Sequence, residues 1–427
     1  MTDTTDTTET VESFERRARA WVEDNLPRLA PGERAHLPMR SARSDAEELA
    51  RIARCRELQR LLFDGGLAGI CVPPAYGGQG LTMAHQEALN RAIVGHDYPS
   101  ETQVPTFTPC MAVILDFGTE EQKRRHIPAI LKGEEFWMQF LSEPSGGSDV
   151  AGAQTTVVRD GDEWMMNGSK IWTSGAWWAD WGLCLARSNW EVAKHRGLTV
   201  FMLPIHQPGI EIHRIEMLDG SKEFCQEFIS DVRVPDSHRI GDVDQGWSVG
   251  TRWMYHERTV SGGSPYVTRP VGQDTGRGAP GGPRALVRNL RSAGHLDAST
   301  RQLVGEHRAL SLVGSALTRR VAERIRTGAV SDQAAAITRL YSGTAQVRQA
   351  SIEFELAGSG AVAWAADQED LKGAGVGFMM RQSACIGGGT TEMSRNVISE
   401  RVLGMPRERS HDRDLPFRQV PKGPPSS

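Results

Sequence analysis

The chain changes its hydrophobic period twice, and this limits its fold more than any single motif does. Up to about residue 135, apolar side chains recur at helical spacing. Phe14, Ala18, Trp21 and Val22 mark a helix over Val11–Leu26, closed by Pro27. Residues 46–63, 81–94 and 120–131 repeat the pattern, and the Pro/Gly run Val72–Gly80 must be loop. From Phe136 the runs shorten. Thr155–Arg159 leads into Asp160-Gly161, a hairpin-turn signal, and then into Glu163–Met166. Strand-like runs follow at 182–186, 198–203, 210–215 and 224–234, a spacing that predicts a small β-barrel or sandwich. From Val249 onward the helical period returns. Leu303, Leu310, Val313, Leu317, Val321 and Ile325 form a stripe suited to a bundle core or a subunit interface.

The expected class is therefore α+β and multidomain. A disordered stretch (1–10) precedes an N-terminal helical domain (11–135), a middle β-domain (136–243) and a C-terminal helical region (244–406). A flexible Gly/Pro loop (261–283) interrupts that region, and a charged, poorly ordered tail (407–427) follows. A length of 427 residues suits two or three packed domains. A net charge of −4 gives no general attraction for nucleic acid or an anionic membrane. No apolar run reaches the roughly 18 residues of a membrane helix. The polar, acidic N-terminus lacks a secretory pattern, so a cytoplasmic location is expected. The six cysteines show no metal spacing and read as buried thiols. Gly373–Gly377 reads as a loop, and no strand–GxGxxG–helix unit exists, which excludes a Rossmann dinucleotide site.

Four segments carry chemistry as a set. Leu141-Ser142-Glu143-Pro144-Ser145-Gly146-Gly147-Ser148-Asp149 is a Gly/Ser loop whose backbone could approach a flat heterocycle closely. Asn167–Ala176 contains Gly168, Lys170, Trp172 and Ser174; a Trp face suits an isoalloxazine ring. Ala357-Gly358-Ser359-Gly360 and Gly387–Asn396 are further Gly-rich segments.

With the helix–sheet–helix order, these segments resemble the acyl-CoA dehydrogenase family across about residues 11–406. The resemblance implies that the C-terminal region is a four-helix bundle and that the cofactor is FAD. Leu141, Ser142, Gly147, Ser148, Trp172 and Ser174 would contact the flavin ring region, with Ser148 also near the CoA pantetheine. Gly358, Thr390 and Glu392 would meet the flavin's diphosphate and ADP part. The segment from Gly387 would enter the active site as the N-terminus of a helix, whose free N–H groups suit anions.

Two departures stand out. Many members carry the catalytic Glu immediately before the Gly-Thr of the last segment; this chain has Gly388. A minority place it on a C-terminal-domain helix as Glu directly before Arg, which is matched here by Glu257-Arg258. Taken as a bare dipeptide, that pair reads as a surface ion pair. Taken with the resemblance, Glu257 becomes the α-proton base and Arg258 a substrate contact, while the Gly388 N–H would bind the thioester oxygen. An Arg-x-x-Phe-Gly motif typical of the family is missing. The Pro283–Arg288 region is similar to an actinobacterial branch acting on bulky or cyclic acyl-CoAs, some of whose members are α2β2 heterotetramers.

The implied reaction is α,β-dehydrogenation of an acyl-CoA to the trans-2-enoyl-CoA, with electrons passing to an electron-transfer flavoprotein. The assembly would be a homo-oligomer or a heterotetramer with a sister subunit. Three alternatives stay open: a catalytically silent subunit, a flavin oxidase or monooxygenase on the same fold, and a desulfinase-like thioester enzyme.

Overall fold

The computed structural model describes residues 9–30, 44–259, 263–269, 287, 290–292, 294, 296–364, 369–410 and 412–421. They fall into two compact units. One comprises Met1–Glu216, Ser221–Gln273 and Ser410–Ser427; the other comprises Met217–Gly220 and Asp274–Arg409.

The first unit opens with helix α1 (Val11–Asn25). Thr10 caps it by accepting from the Ser13 N–H, and Phe14, Ala18 and Val22 fill one buried face at four-residue steps. Helix α2 (Asp45–Asp64) starts in a reciprocal Ser44/Glu47 capping box. Helix α3 (Met83–Ala92) follows. The sequence gives no signal for the next segment, where α4 (Ser100–Pro105) runs through a fully buried π-helical turn, Thr106–Met111, into α5 (Ala112–Phe117). Pro109 lacks an N–H, so the regular ladder cannot pass through it, and the turn widens instead. Helix α6 (Glu120–Leu131) has a Thr119/Gln122 capping box.

Among the described residues eight strands form one sheet: β1 (Trp137–Phe140), β2 (Thr156–Asp160), β3 (Glu163–Ser174), β4 (Trp181–Arg187), β5 (Leu198–Pro204), β6 (Ile210–Ile215), β7 (Phe224–Pro235) and β8 (Arg239–Ile240). The order is β6-β7-β3-β2-β4-β5-β8, with β1 parallel to β4. The β2–β3 hairpin closes at Asp160↔Glu163, and Gly161 (φ 65°) takes the left-handed turn conformation there. β4 is buried on both faces, and its side chains alternate between two cores. Leu183 and Leu185 join Trp137, Met111, Ile114, Ile127 and Trp253 on the helical side. Cys184 and Ala186 join Trp164, Met166, Phe201 and Val232 on the other. All six cysteines are free thiols. Helix α7 (Gly246–Thr259) packs on the helical side of this unit.

In the second unit, α8 (Ala298–Arg326) runs antiparallel to α9 (Ala335–Ala357). His307 meets Glu353 at 3.0 Å and Ser311 meets Gln349 at 2.8 Å. The stripe expected as bundle core or subunit interface is only partly buried within the chain: Val313 is 52% exposed, and the buried core of the unit among the described residues is Ile352, Leu356, Ala361 and Ala374. Gly373–Gly377, expected as a loop, lies inside helix α10 (Glu369–Met380). A Cβ on Gly375 would come within 2.3 Å of the Ala361 carbonyl, so this glycine serves close packing of the helix on the chain before it. Helix α11 (Thr391–Val397) follows and runs on into a π-helical turn, Ile398–Val402.

Two other expectations meet the structure. Most of the Gly/Pro loop 261–283 lies outside the described residues; within 263–269, Val267 and Thr268 are buried. The tail was expected to lack order, yet within 412–421 Phe417 is 3% exposed in a fixed contact with the first unit. Among the described residues no helix is long and apolar enough to cross a membrane.

Candidate active site

β1 ends at Phe140, and the chain turns into the Gly/Ser segment alongside β3. The Ile171 N–H donates to the Ser142 carbonyl at 3.0 Å, which places Ser142 beside the second half of β3. The segment is anchored from below by Glu143. Its carboxylate accepts from Lys170 Nζ at 2.8 Å and from the N–H groups of Gln154 and Thr155 at 2.6 and 2.9 Å. Burial pushes the Glu143 pKa up, but Lys170 and these donors outweigh it and hold the group below the usual carboxylate range. Lys170 also donates to the Leu185 carbonyl at 2.6 Å and, at 3.4 Å, to the carbonyl of half-buried Leu141.

β3 bulges against β7 between Ile171 and Thr173, and Trp172 is the extra residue. It takes φ 66°, a conformation costly for a side chain of this size, and is 52% exposed, with its ring meeting Phe224 edge-on at 5.8 Å. The bulge thus turns a large aromatic face outward beside Ser142 and Ser174. Ser174 is half-buried, while Gly147 and Ser148 are exposed on the segment. A Cβ at Gly146 or Gly147 would meet nothing closer than 3.8 or 3.7 Å, so packing within this chain does not require glycine at either position. An open Gly/Ser face beside an outward Trp fits a flat heterocycle such as a flavin.

The other side of the bulge is fixed by Thr173, whose single hydroxyl hydrogen is shared between the backbone carbonyl of Gln139 at 3.2 Å and the Glu227 carboxylate at 3.0 Å. Glu227 is fully buried, and burial pushes its pKa up to about 7. The Gln139 side chain in turn accepts from the Trp253 indole at 2.5 Å. Trp253 lies one turn before Glu257 on α7, so β1 links the strand bearing Trp172 to the helix bearing Glu257. Glu257 is half-buried, and its charge raises the pKa of the fully buried Cys110 thiol on the π-helical turn, where burial is the larger cause. The adjacent His256 is buried, with Nε2 2.8 Å from Asp116, which also accepts from Arg252 at 2.6 Å. Burial raises the Asp116 pKa, but these two partners bring it below normal. The Arg258 side chain lies outside the described residues.

In the second unit, Gly388 (φ 71°) and Gly389 (φ 94°) lead into Thr390. Thr390 caps α11 itself by accepting from the Met393 N–H at 3.0 Å, so one of the expected free donors is already satisfied, and this helix has only seven residues. Exposed Glu392 faces Thr391 and Arg395. Gly358 (φ 57°) terminates α9. A hollow of about 510 Å³ on the first unit, lined by Trp177, Ile205, Gln207, Ile210 and Ile212, contains none of these residues.

Comparison with known proteins assigns the N-terminal helices and the sheet to one family. A family profile described as acyl-CoA dehydrogenase, N-terminal domain, matches residues 8–134, and one described as acyl-CoA dehydrogenase, middle domain, matches residues 139–232. The chain belongs to the acyl-CoA dehydrogenase family. Acyl-CoA dehydrogenase IpdE1 of Mycobacterium tuberculosis is 29% identical over 92% of this chain and 98% of its own length. Acyl-CoA dehydrogenase FadE34 of the same organism is 31% identical over 85% of this chain, which spans only 48% of that larger protein. Among solved structures, the Tcur3481-Tcur3483 steroid ACAD superposes with a TM-score of 0.70 at 24% identity, covering 93% of this chain and 98% of that one. The ChsE4-ChsE5 complex from Mycobacterium tuberculosis gives 0.67 at 24% identity, covering 94% and 100%. This acyl-CoA dehydrogenase fold accounts for the helical–sheet–helical order of the chain.

Sequence reasoning missed Glu143, Lys170, Glu227, Gln139 and Trp253. For Lys170 a signal existed. It shares strand parity with the inward residues Trp164 and Met166, which places a lysine on a core-facing position.

Proposed function

We propose that this chain catalyses the α,β-dehydrogenation of an acyl-CoA thioester, with Glu257 removing the α-proton. The observation that carries the reading is the hydrogen-bonded path Trp253–Gln139–Thr173, which ties the helix of half-buried Glu257 to the strand segment that presents Trp172. Trp172, Ser142 and Ser174 would hold the ring of FAD, and Gly147 and Ser148 would leave its neighbouring face open to the thioester. When bound, FAD supplies the two-electron acceptor for the β-hydrogen. Glu257 holds the α-proton, and the Gly388 N–H hydrogen-bonds the thioester oxygen as negative charge develops on it. Gly358, Thr390 and Glu392 would contact the distal part of FAD, and Arg258 the substrate. An electron-transfer flavoprotein would take up the electrons.

A bulky or steroid-like acyl group and a sister subunit form part of the same reading. They are supported by two structural neighbours, the Tcur3481-Tcur3483 steroid ACAD and the ChsE4-ChsE5 complex. The test is purification with a visible spectrum, followed by dye reduction with straight-chain, branched and steroid-side-chain acyl-CoAs. A yellow protein that reduces dye with at least one acyl-CoA is expected. A flavin-loaded protein inert to the whole panel overturns dehydrogenation by this chain. Oxygen consumption without dye favours an oxidase.

A further inference from the structure

Arg187 ends β4 with its side chain fully buried. Its Nη2 donates to the Ala151 carbonyl at 2.6 Å, its Nε to Ala153 at 2.9 Å and its Nη1 to Lys194 at 3.1 Å. The first two acceptors close the segment that begins at Leu141; the third lies in the loop between β4 and β5. Its hydrogen bonds go to carbonyls rather than to a carboxylate, and burial pulls its pKa down to about 10, outweighing the more distant charges of Glu143, Asp149 and Asp244. One face of it is covered by the Phe417 ring, whose centroid lies 3.8 Å from Cζ. Phe417 comes from the C-terminal tail and is buried against Trp190, with ring centroids 5.4 Å apart. The tail is fixed to the same loop by backbone bonds, Phe417 N–H to Val192 at 2.8 Å and Arg418 N–H to Trp190 at 3.1 Å. Lys194, at the end of that loop, pairs with Asp149 of the Gly/Ser segment at 2.8 Å.

We propose that Phe417 is a positioning residue for thioester binding: by covering the Arg187 guanidinium, it lets that side chain hold Ala151–Ala153 in place, so the C-terminal tail sets the loop that carries Ser148. This rests on the reading of residues 141–152 as the CoA-facing segment. Among the described residues Arg187 is the side chain that holds the carbonyls of Ala151 and Ala153, and it ties them to the end of β4. Without the ring, water reaches the guanidinium and competes for it.

The test uses the full-length, flavin-loaded protein with Phe417→Ala, Phe417→Leu and Phe417→Trp. Amide hydrogen exchange is followed at residues 149–155 without substrate, and dye reduction gives KM and kcat for an accepted acyl-CoA. Phe417→Ala is expected to speed exchange there roughly tenfold. It should also raise KM about fivefold with kcat within about twofold of wild type. Phe417→Trp, which restores an aromatic face, should return both toward wild type, and Phe417→Leu should not. If Phe417→Ala is too unstable to purify, the Leu and Trp pair carries the same comparison. Unchanged exchange, faster exchange without a KM change, or equal behaviour of Leu and Trp overturns the proposal. If the wild type turns over no acyl-CoA, the functional reading fails by itself, and exchange at 149–155 still decides whether Phe417 orders the loop.

Discussion

Lys170 and Glu143 meet at 2.8 Å with 0% and 4% of their side chains exposed, so the Gly/Ser segment is fastened to β3 by an ion pair removed from water. Removing one partner leaves a buried charge without its counterpart, which costs more than the pair contributes. Glu143→Gln and Lys170→Met are each expected to lower unfolding free energy by about 3–5 kcal/mol. The double variant should lose less than the sum of the two, because neither charge is then stranded. Urea denaturation of the four proteins checks this; strictly additive losses would show that the pair is not coupled.

The same region shows what a sequence reveals and what it hides. The Asp160-Gly161 turn, the limits of β6 and those of α6 are all legible, because turn chemistry and period are local. The segments bearing Ser142, Trp172 and Ser174 are legible as motifs, and the structure brings them together along β3. Lys170 is flagged by its core-facing parity on β3, but Glu143 looks like an ordinary loop carboxylate, because its burial depends on a contact with a residue 27 positions away. Asp116 holding His256 from 140 residues away leaves no local trace at all. Phe417 is hidden for a different reason: one aromatic in a charged, Pro-containing tail carries no period.

Glu227 gives a pH dependence of definite sign. Its folded pKa of about 7 lies above the ordinary 4.5, so the folded chain keeps the proton where the unfolded chain has lost it. Glu227 therefore contributes no pH dependence below about pH 4.5, lowers stability progressively as pH rises to about 7, and holds that penalty at higher pH. The penalty is on the order of 3 kcal/mol. Lys170 faces Glu227 across the strands, and Glu143, Cys184 and Cys225 share its surroundings. The difference between wild type and Glu227→Gln isolates the one group. Thermal unfolding from pH 4 to 8 should show the variant gaining on wild type only as pH rises; a constant offset would rule out this titration.

Trp172 separates a packing role from a binding role. It is half exposed and strained at φ 66°, so the fold gains little from its side chain. Trp172→Gly relieves left-handed strain worth about 1–2 kcal/mol and loses one edge contact, leaving stability within about 1 kcal/mol of wild type. Retention of FAD should nevertheless fall roughly tenfold, equivalent to about 1.4 kcal/mol of lost ring contact. Equilibrium dialysis with FAD beside a denaturation curve reads both quantities. A large stability loss with unchanged flavin affinity would make Trp172 a packing residue.

Glu257 and Gly388 can be tested against each other. Loss of a positioned base typically costs about 10²–10⁴ in rate, so Glu257→Gln should lower kcat by that range while flavin content stays at the wild-type level. Returning a carboxylate at position 388 is the obvious rescue, and the structure argues against it. Gly388 sits at φ 71°, where any side chain costs about 1–2 kcal/mol. The Cβ of a new residue there would lie 3.9 Å from Arg339 Nε. Arg339 is held by the carbonyls of Ala384 and Gly387, and burial lowers its pKa, so a new carboxylate beside it would form an ion pair rather than act as a base. Gly388→Glu added to Glu257→Gln should leave dye reduction at the single-variant level. Recovery to within about tenfold of wild type would mean that Arg339 releases the carboxylate and that position 388 can still serve as the base site.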